Sequence, residues 1–403
     1  MRHARWILPL LFLAVTSAAP TLPQQGASAI SSVIKAATDR GDVPGVAVAV
    51  VNKDGLLYNE AAGKSRTATN TPMAKDTIFN MASMTKPVTS VAIMMLLDEG
   101  KLKLDDEVAK YLPKWKDPVV ISKFNEADAS YETRPAKRPI TIRHLLTHTS
   151  GLGYGFASPM LTKIMEQTKK TELDLPLLFD PGESWAYGPS TRVLGHVIEA
   201  ISGQKIDAFL ESKILSPLGM HDTSYLVPTT KYARVVAVNR RGNDGKFIEQ
   251  PVPATIPATV QGDGGLYGTP SDYGLFLRML LNRGTLNGKR IISEKSAQMT
   301  LQPHTGQVVV KEQQSANLAL SRNFPIGAGK DKWGLGFQLA ADKQVNRRSP
   351  GSGTWAGIFN THFFIDPAKD IGVVVMMQTL PFYDEASMKV YAAVEEAVYR
   401  NLK

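Results

Sequence analysis

The sequence predicts an α+β fold in which an antiparallel sheet, built from both ends of the chain and flanked by helices, carries a mainly helical lobe between them. Three observations carry this expectation. Near the start, two β-rich runs flank Asn52-Lys53-Asp54-Gly55, the signature of a hairpin with a short glycine-containing turn. Near the end, WGLGFQLA and then GIFNTHFFIDPAKDIGVVVMMQT supply three more candidate strands. Between the two ends the apolar spacing is mostly helical.

Element by element, residues 27–39 have helical spacing and precede the hairpin. Asp366 to Asp370 form the expected turn before Ile371 to Met377, a run apolar enough for the middle of a sheet. The stretch from Glu385 to Leu402 is a helix by periodicity. The middle of the chain reads as mostly helical in SMTKPVTSVAIMMLLDEGKLKLDDEVAKYL, PITIRHLLTHTS, SPMLTKIMEQTKK, STRVLGHVIEAISGQKIDAFLESKIL and TPSDYGLFLRMLLNRGTL. The expected division is a sheet lobe over 28–110 and 255–403 and a helical lobe over 111–254. Two long loops, 116–138 and 305–331, are polar enough for surface variation and long enough to elaborate a substrate site.

A chain of 403 residues with 43% apolar composition can bury a substantial core. It contains no cysteine, which excludes a thiol nucleophile, a disulfide and thiolate metal ligands. Residues 1–19 combine Arg2 and Arg5, an apolar run from Trp6 to Val15 and small residues, the layout of an export signal. The expectation is a periplasmic or secreted protein with no further membrane span. Loss of Arg2 and Arg5 reduces the formal charge from +9 to +7, and the remaining positive charge is scattered. That pattern argues against nucleic-acid binding.

Ser83 and Lys86 stand three residues apart where a loop gives way to a long helix, so their side chains share a face. A lysine so placed can take the proton from a serine hydroxyl, and the helix start offers N–H groups to a developing oxyanion. Read alone, the pair fits a serine that caps a helix equally well.

The stretch FNMASMTKPVTSVAIMMLLDEGKLKLDDEVAKYLP, followed by ITIRHLLTHTSGL, resembles the penicillin-recognising serine hydrolases. Within them the likeness is to class C β-lactamases, D-specific peptidases and, most closely, family VIII carboxylesterases. The resemblance runs from about residue 28 to the end and implies a class C β-lactamase-like fold. It assigns Ser83 as nucleophile and Lys86 as its base. In FDPGESWAYGPSTRVLGHVIE it matches Tyr187 to the family tyrosine that works with the lysine. Without the resemblance, Tyr187 is as readily a core or turn aromatic.

Two departures bear on substrate. Pro189 stands where β-lactamases carry an asparagine, so a side-chain amide contact is missing. Trp355-Ala356-Gly357 stands where they carry K-T-G or H-T-G, which removes a cation for a substrate carboxylate and offers apolar surface. Esterases of the family commonly show W-G-G there. The resemblance further implies oxyanion donors at the backbone N–H groups of Ser83 and Ile358, substrate contacts at Trp355, Ala356 and Gly357, and a pocket wall that includes Tyr267. It implies no cofactor and no metal.

Other candidates read as structural. His148 suits a structural hydrogen bond, since the family uses no histidine, and Asp272 suits a helix start. His144 and His148 lie four apart but lack the glutamate of H-E-x-x-H, and G-x-S-x-G is absent. The expected activity is hydrolysis of short-chain or aryl carboxylic esters through an acyl-enzyme. The alternatives are action on a β-lactam or D-amino-acid peptide, and a catalytically silent penicillin-binding-like sensor.

Overall fold

The computed structural model describes residues 19–403, so the expected export segment falls outside it except for Ala19. The main sheet has eight strands: β1 Gly45–Val51, β2 Leu56–Arg66, β3 Thr71–Pro72, β4 Lys332–Trp333, β5 Gln338–Leu339, β6 Gly353–Gly357, β7 Thr361–Asp366 and β8 Ile371–Met376. Their order is β4-β5-β6-β7-β8-β1-β2-β3, antiparallel throughout. The two ends of the sequence therefore meet in one sheet, as expected, with Ala49 of β1 opposite Val374 of β8.

Local chemistry accounts for the hairpin. The Asn52 Oδ1 accepts hydrogen bonds from the backbone N–H of Asp54 at 2.9 Å and of Gly55 at 2.7 Å, closing the turn between β1 and β2. In β1 every residue is buried because both faces of the sheet are covered. Val46, Val48 and Val50 pack with Ile30 and Ile34 of helix α1, Gln24–Asp39, and with Val394 and Val398 of the C-terminal helix Glu385–Asn401. Ala47, Ala49 and Val51 point the other way, into the larger core. Backbone hydrogen bonds between Thr21 and Lys403, 2.8 and 3.1 Å long, tie the two ends of this layer together.

On the other face lies helix α2, Thr85–Asp98, buried without a break from Thr85 to Met94. A helix apolar on every side has to be enclosed. Helix α3, Ser190–Ser202, and helix α4, Pro270–Leu281, belong to the same core, α3 against α2 and α4 against β1 and β8. With the C-terminal helix numbered α5, α1 and α5 cover one face of the sheet, and α2 and α4 lie toward the other. Among the described residues no helix is long and apolar enough to cross a membrane.

The segment 116–138 differs from the loop expected of it. Val119–Phe124 and Tyr131–Pro135 pair as an antiparallel hairpin. Val120 is buried and bridges to Leu177, whereas most of its neighbours are exposed. The charged residues on the outer side hide the short apolar alternation. The segment 305–331 is irregular, as expected, and folds inward: the Ala316 N–H donates to the Phe156 carbonyl at 2.9 Å.

Candidate active site

Ser83 occupies a single 3-10 turn, Ala82–Met84, that runs directly into α2. Ala82 has a φ of +44°, a left-handed conformation uncommon for a residue with a side chain. The surrounding groups hold it there. Its N–H donates to the Asn80 Oδ1 at 3.0 Å, and the Asn80 amide donates to the Tyr267 hydroxyl at 3.1 Å. Met81 N–H donates to the Leu266 carbonyl at 2.9 Å. Tyr267 thus braces the turn before Ser83 from the short pairing of Phe79–Asn80 with Tyr267–Gly268.

One turn into α2, the Lys86 Nζ donates to the Ser83 Oγ at 3.1 Å and to the Asp263 carbonyl at 2.8 Å. The side chain is 2% exposed. It also lies over two phenol rings, 4.8 Å from the centre of Tyr187 and 5.2 Å from that of Tyr154. The spacing read in the sequence therefore becomes a direct contact, and Tyr187 joins the same cluster from a point a hundred residues along the chain.

Tyr187 is held by its backbone. Its N–H donates to the Gln313 side-chain oxygen at 3.0 Å, and its carbonyl accepts from Tyr154 at 3.2 Å. A Cβ on Gly188 would stand 2.2 Å from the Leu152 carbonyl, so only glycine allows this approach. Pro189 precedes α3, where its missing N–H costs nothing, and brings no side-chain hydrogen bond to the site.

The Trp355 indole N–H donates to the Tyr187 hydroxyl at 3.3 Å. Expected as an apolar wall, this side chain is only 5% exposed and packs among Trp185, Trp333 and Tyr187. Its polar edge, which the sequence reading passed over, faces the candidate catalytic tyrosine. Ala356 points to the opposite face of β6, opposite His362 of β7. A cavity of about 510 Å³ there includes Phe324, Trp355, Ala356 and His362 in its lining but none of Ser83, Lys86 and Tyr187.

Gly357 ends β6 against the nucleophile turn. A Cβ there would lie 2.2 Å from the Met81 carbonyl and 2.3 Å from the Thr361 hydroxyl. Gly357→Ala is expected to destabilise the fold by about 1–3 kcal/mol, as overpacking does, and to lower activity further by pushing β6 away; urea unfolding with parallel ester assays measures both. Gly265, with φ +105°, allows a similarly close approach, because a Cβ there would meet the Thr259 carbonyl at 1.7 Å.

His148 is buried with its ring between Trp333 and Tyr187, at 5.1 and 5.2 Å between centroids. Its Nδ1 has no hydrogen-bond partner, so the structural hydrogen bond expected of His148 is not made through that nitrogen. Its backbone carbonyl accepts from Ala186 at 3.1 Å instead. Burial, reinforced by the Lys86 charge, holds the imidazole well below its usual pKa and therefore neutral. Asp272 sits in the first turn of α4, as expected, below Thr269, whose hydroxyl accepts the Asp272 N–H at 3.2 Å. Among the described residues no group of three or more histidines or carboxylates is arranged to hold a metal.

Sequence reasoning missed Tyr154, Asp263, Arg192 and Gln313. The Tyr154 hydroxyl donates to the Asp263 carboxylate, which Arg192 also grips. Burial first, then the Asp263 charge, pushes the Tyr154 phenol well above its ordinary pKa. Tyr154 and Asp263 lie 109 positions apart, and none of the four carries a local spacing signal.

The Beta-lactamase family matches residues 30–397. Lovastatin esterase of Penicillium rubens is 26% identical, covering 92% of this chain and 98% of its own. Esterase EstB of Burkholderia gladioli is 28% identical over 88% of this chain and 90% of its own. A mutant of simvastatin synthase from Aspergillus terreus superposes with a TM-score of 0.81 at 25% identity, covering 94% and 95% of the two chains. The expected β-lactamase-like fold is present, and the chain belongs to the Beta-lactamase family.

Proposed function

We propose that this protein is a serine carboxylesterase that hydrolyses short-chain or aryl esters through an acyl-enzyme on Ser83. The observation that carries the reading is the 3.1 Å contact between the Lys86 Nζ and the Ser83 Oγ, with the Tyr187 ring 4.8 Å from the same Nζ. With the amine neutral, the proton moves along this contact from Ser83 to Lys86 as the hydroxyl attacks the ester carbonyl. The N–H groups of Ser83 and Ile358 receive the oxyanion. Tyr187 passes a proton to the departing alcohol, and water then releases the acid.

Ester rather than amide substrates are favoured by what is absent around the nucleophile. Pro189 supplies no amide, and Trp355-Ala356-Gly357 supplies no cation for a substrate carboxylate. The rings of Tyr154, Phe156, Phe324 and Trp355 around Tyr187 favour an uncharged, compact group. Two of the relatives are named esterases, which supports the same choice. The test compares kcat/KM on p-nitrophenyl butyrate, a chromogenic cephalosporin and a D-alanyl-D-alanine peptide. The ester is expected to lead by about a hundredfold, close to 2.7 kcal/mol of transition-state discrimination. A cephalosporin or peptide preference overturns the ester assignment.

The Trp355 N–H favours developing negative charge on the Tyr187 oxygen. Trp355→Phe keeps the aromatic packing and removes that donor. Its expected effect is a kcat about tenfold lower with KM little changed, in the range of one lost hydrogen bond to a charged group; steady-state kinetics on the butyrate ester measure it.

A further inference from the structure

Behind Lys86 lies a row of charged groups that the proposed reaction does not use. Asp263, 4% exposed, presents its carboxylate to the Arg192 Nε, which reaches both oxygens at 3.1 Å, and to the Arg192 Nη2 at 3.0 Å. The same carboxylate accepts the Tyr154 hydroxyl. Beyond it, the Arg192 Nη1 meets the Glu172 Oε2 at 3.2 Å. Asp263 also supplies, through its backbone carbonyl, the 2.8 Å acceptor for the Lys86 Nζ. One residue therefore touches the lysine with its main chain and the arginine with its side chain.

We propose that Arg192 and Asp263 are a positioning pair for the Ser83–Lys86 centre, Arg192 cancelling the carboxylate charge beside the lysine and fixing the carbonyl that receives it. The inference rests on the serine mechanism proposed above. An uncompensated carboxylate on the residue that binds the amine favours the amine's charged form and opposes its action as a base. Arg192 removes that pull without displacing Asp263. Pinning matters as well, because Asp263 lies in Gly262-Asp263-Gly264-Gly265, a segment with little stiffness of its own. Gly262 is clamped separately, since its carbonyl accepts the Thr89 hydroxyl of α2 at 2.7 Å.

The charged and titratable groups around the lysine are Asp263, with Arg192 and Glu172 beyond it, and Tyr154, Tyr187 and His148. His148 is neutral, and Tyr154 stays protonated because burial and Asp263 both disfavour its phenolate. Tyr225 donates to the Gln261 carbonyl, and burial, then the Asp263 charge, keep it protonated too. Arg192 and Asp263 are thus the members whose removal changes the local charge in opposite directions.

The experiment measures kcat/KM against pH on p-nitrophenyl butyrate for the full chain and for Arg192→Gln, Arg192→Lys and Asp263→Asn, with thermal unfolding of each. Arg192→Gln is expected to move the acidic limb upward by about half a pH unit or more and to lower kcat about tenfold with KM within about threefold. Asp263→Asn is expected to move the limb downward, and Arg192→Lys to restore most of the wild-type position. A purely structural pair gives lower folded fractions without opposed limb shifts, and unmoved limbs in folded variants overturn the proposal. Should Arg192→Gln not fold, Asp263→Asn decides alone: a downward shift supports the pair and none overturns it. Labelling by a fluorophosphonate probe separates the two readings. If wild-type Ser83 does not react, the serine mechanism fails; if it reacts and the limbs do not move, only the pairing fails.

Discussion

Ser83→Ala is expected to lower kcat/KM on p-nitrophenyl butyrate by about 10⁴-fold or more, the scale on which removal of a nucleophile acts. The serine hydroxyl lies at the start of a buried helix and meets the Lys86 Nζ at 3.1 Å. Alanine suits that helix start, so the variant is expected to unfold at nearly the wild-type temperature. The neighbouring hydroxyls have other tasks. Thr85 accepts the Leu266 N–H, and Thr89 donates to the Gly262 carbonyl. Neither is free to replace Ser83, so the loss is expected to be nearly complete, and parallel kinetics and unfolding curves check it.

Lys86→Met is expected to lower kcat by about 10³-fold, within the range of a removed general base. Methionine retains the length of the side chain and suits the Tyr187 and Tyr154 rings over which Lys86 lies. The loss should therefore appear in chemistry before it appears in stability. Stopped-flow measurement of the nitrophenolate burst is the check: the variant is expected to lose the fast acylation phase while binding substrate with a similar KM.

The parts of this architecture legible in the sequence are those set by neighbouring residues. The Asn52 to Gly55 turn, the β-rich run of β1 and the Ser83-to-Lys86 spacing each act within a few positions, and each appears in the structure as expected. The segment WGLGFQLA, read as one strand, contributes to two, β4 and β5, whose two residues each are too few to show a period. The hairpin Val119–Pro135 was hidden because its outward residues are charged and its apolar contact is with Leu177, far along the chain.

The site divides the same way. Ser83, Lys86 and Tyr187 were recognisable from motif resemblance, whereas Tyr154, Asp263 and Arg192 meet only through the fold. Trp355 shows a different limit. Its position was anticipated, but the direction of its N–H, toward Tyr187, depends on how β6 turns the indole into the core. Residue type alone suggested an apolar surface.

The most direct test of the central claim is to identify the residue that carries the acyl group. The protein is mixed with p-nitrophenyl butyrate, quenched in acid within the burst phase, digested and analysed by tandem mass spectrometry. The account predicts one butyryl group per chain, on Ser83, absent from Ser83→Ala. A butyryl group on another residue, or full ester turnover by the alanine variant, would contradict it.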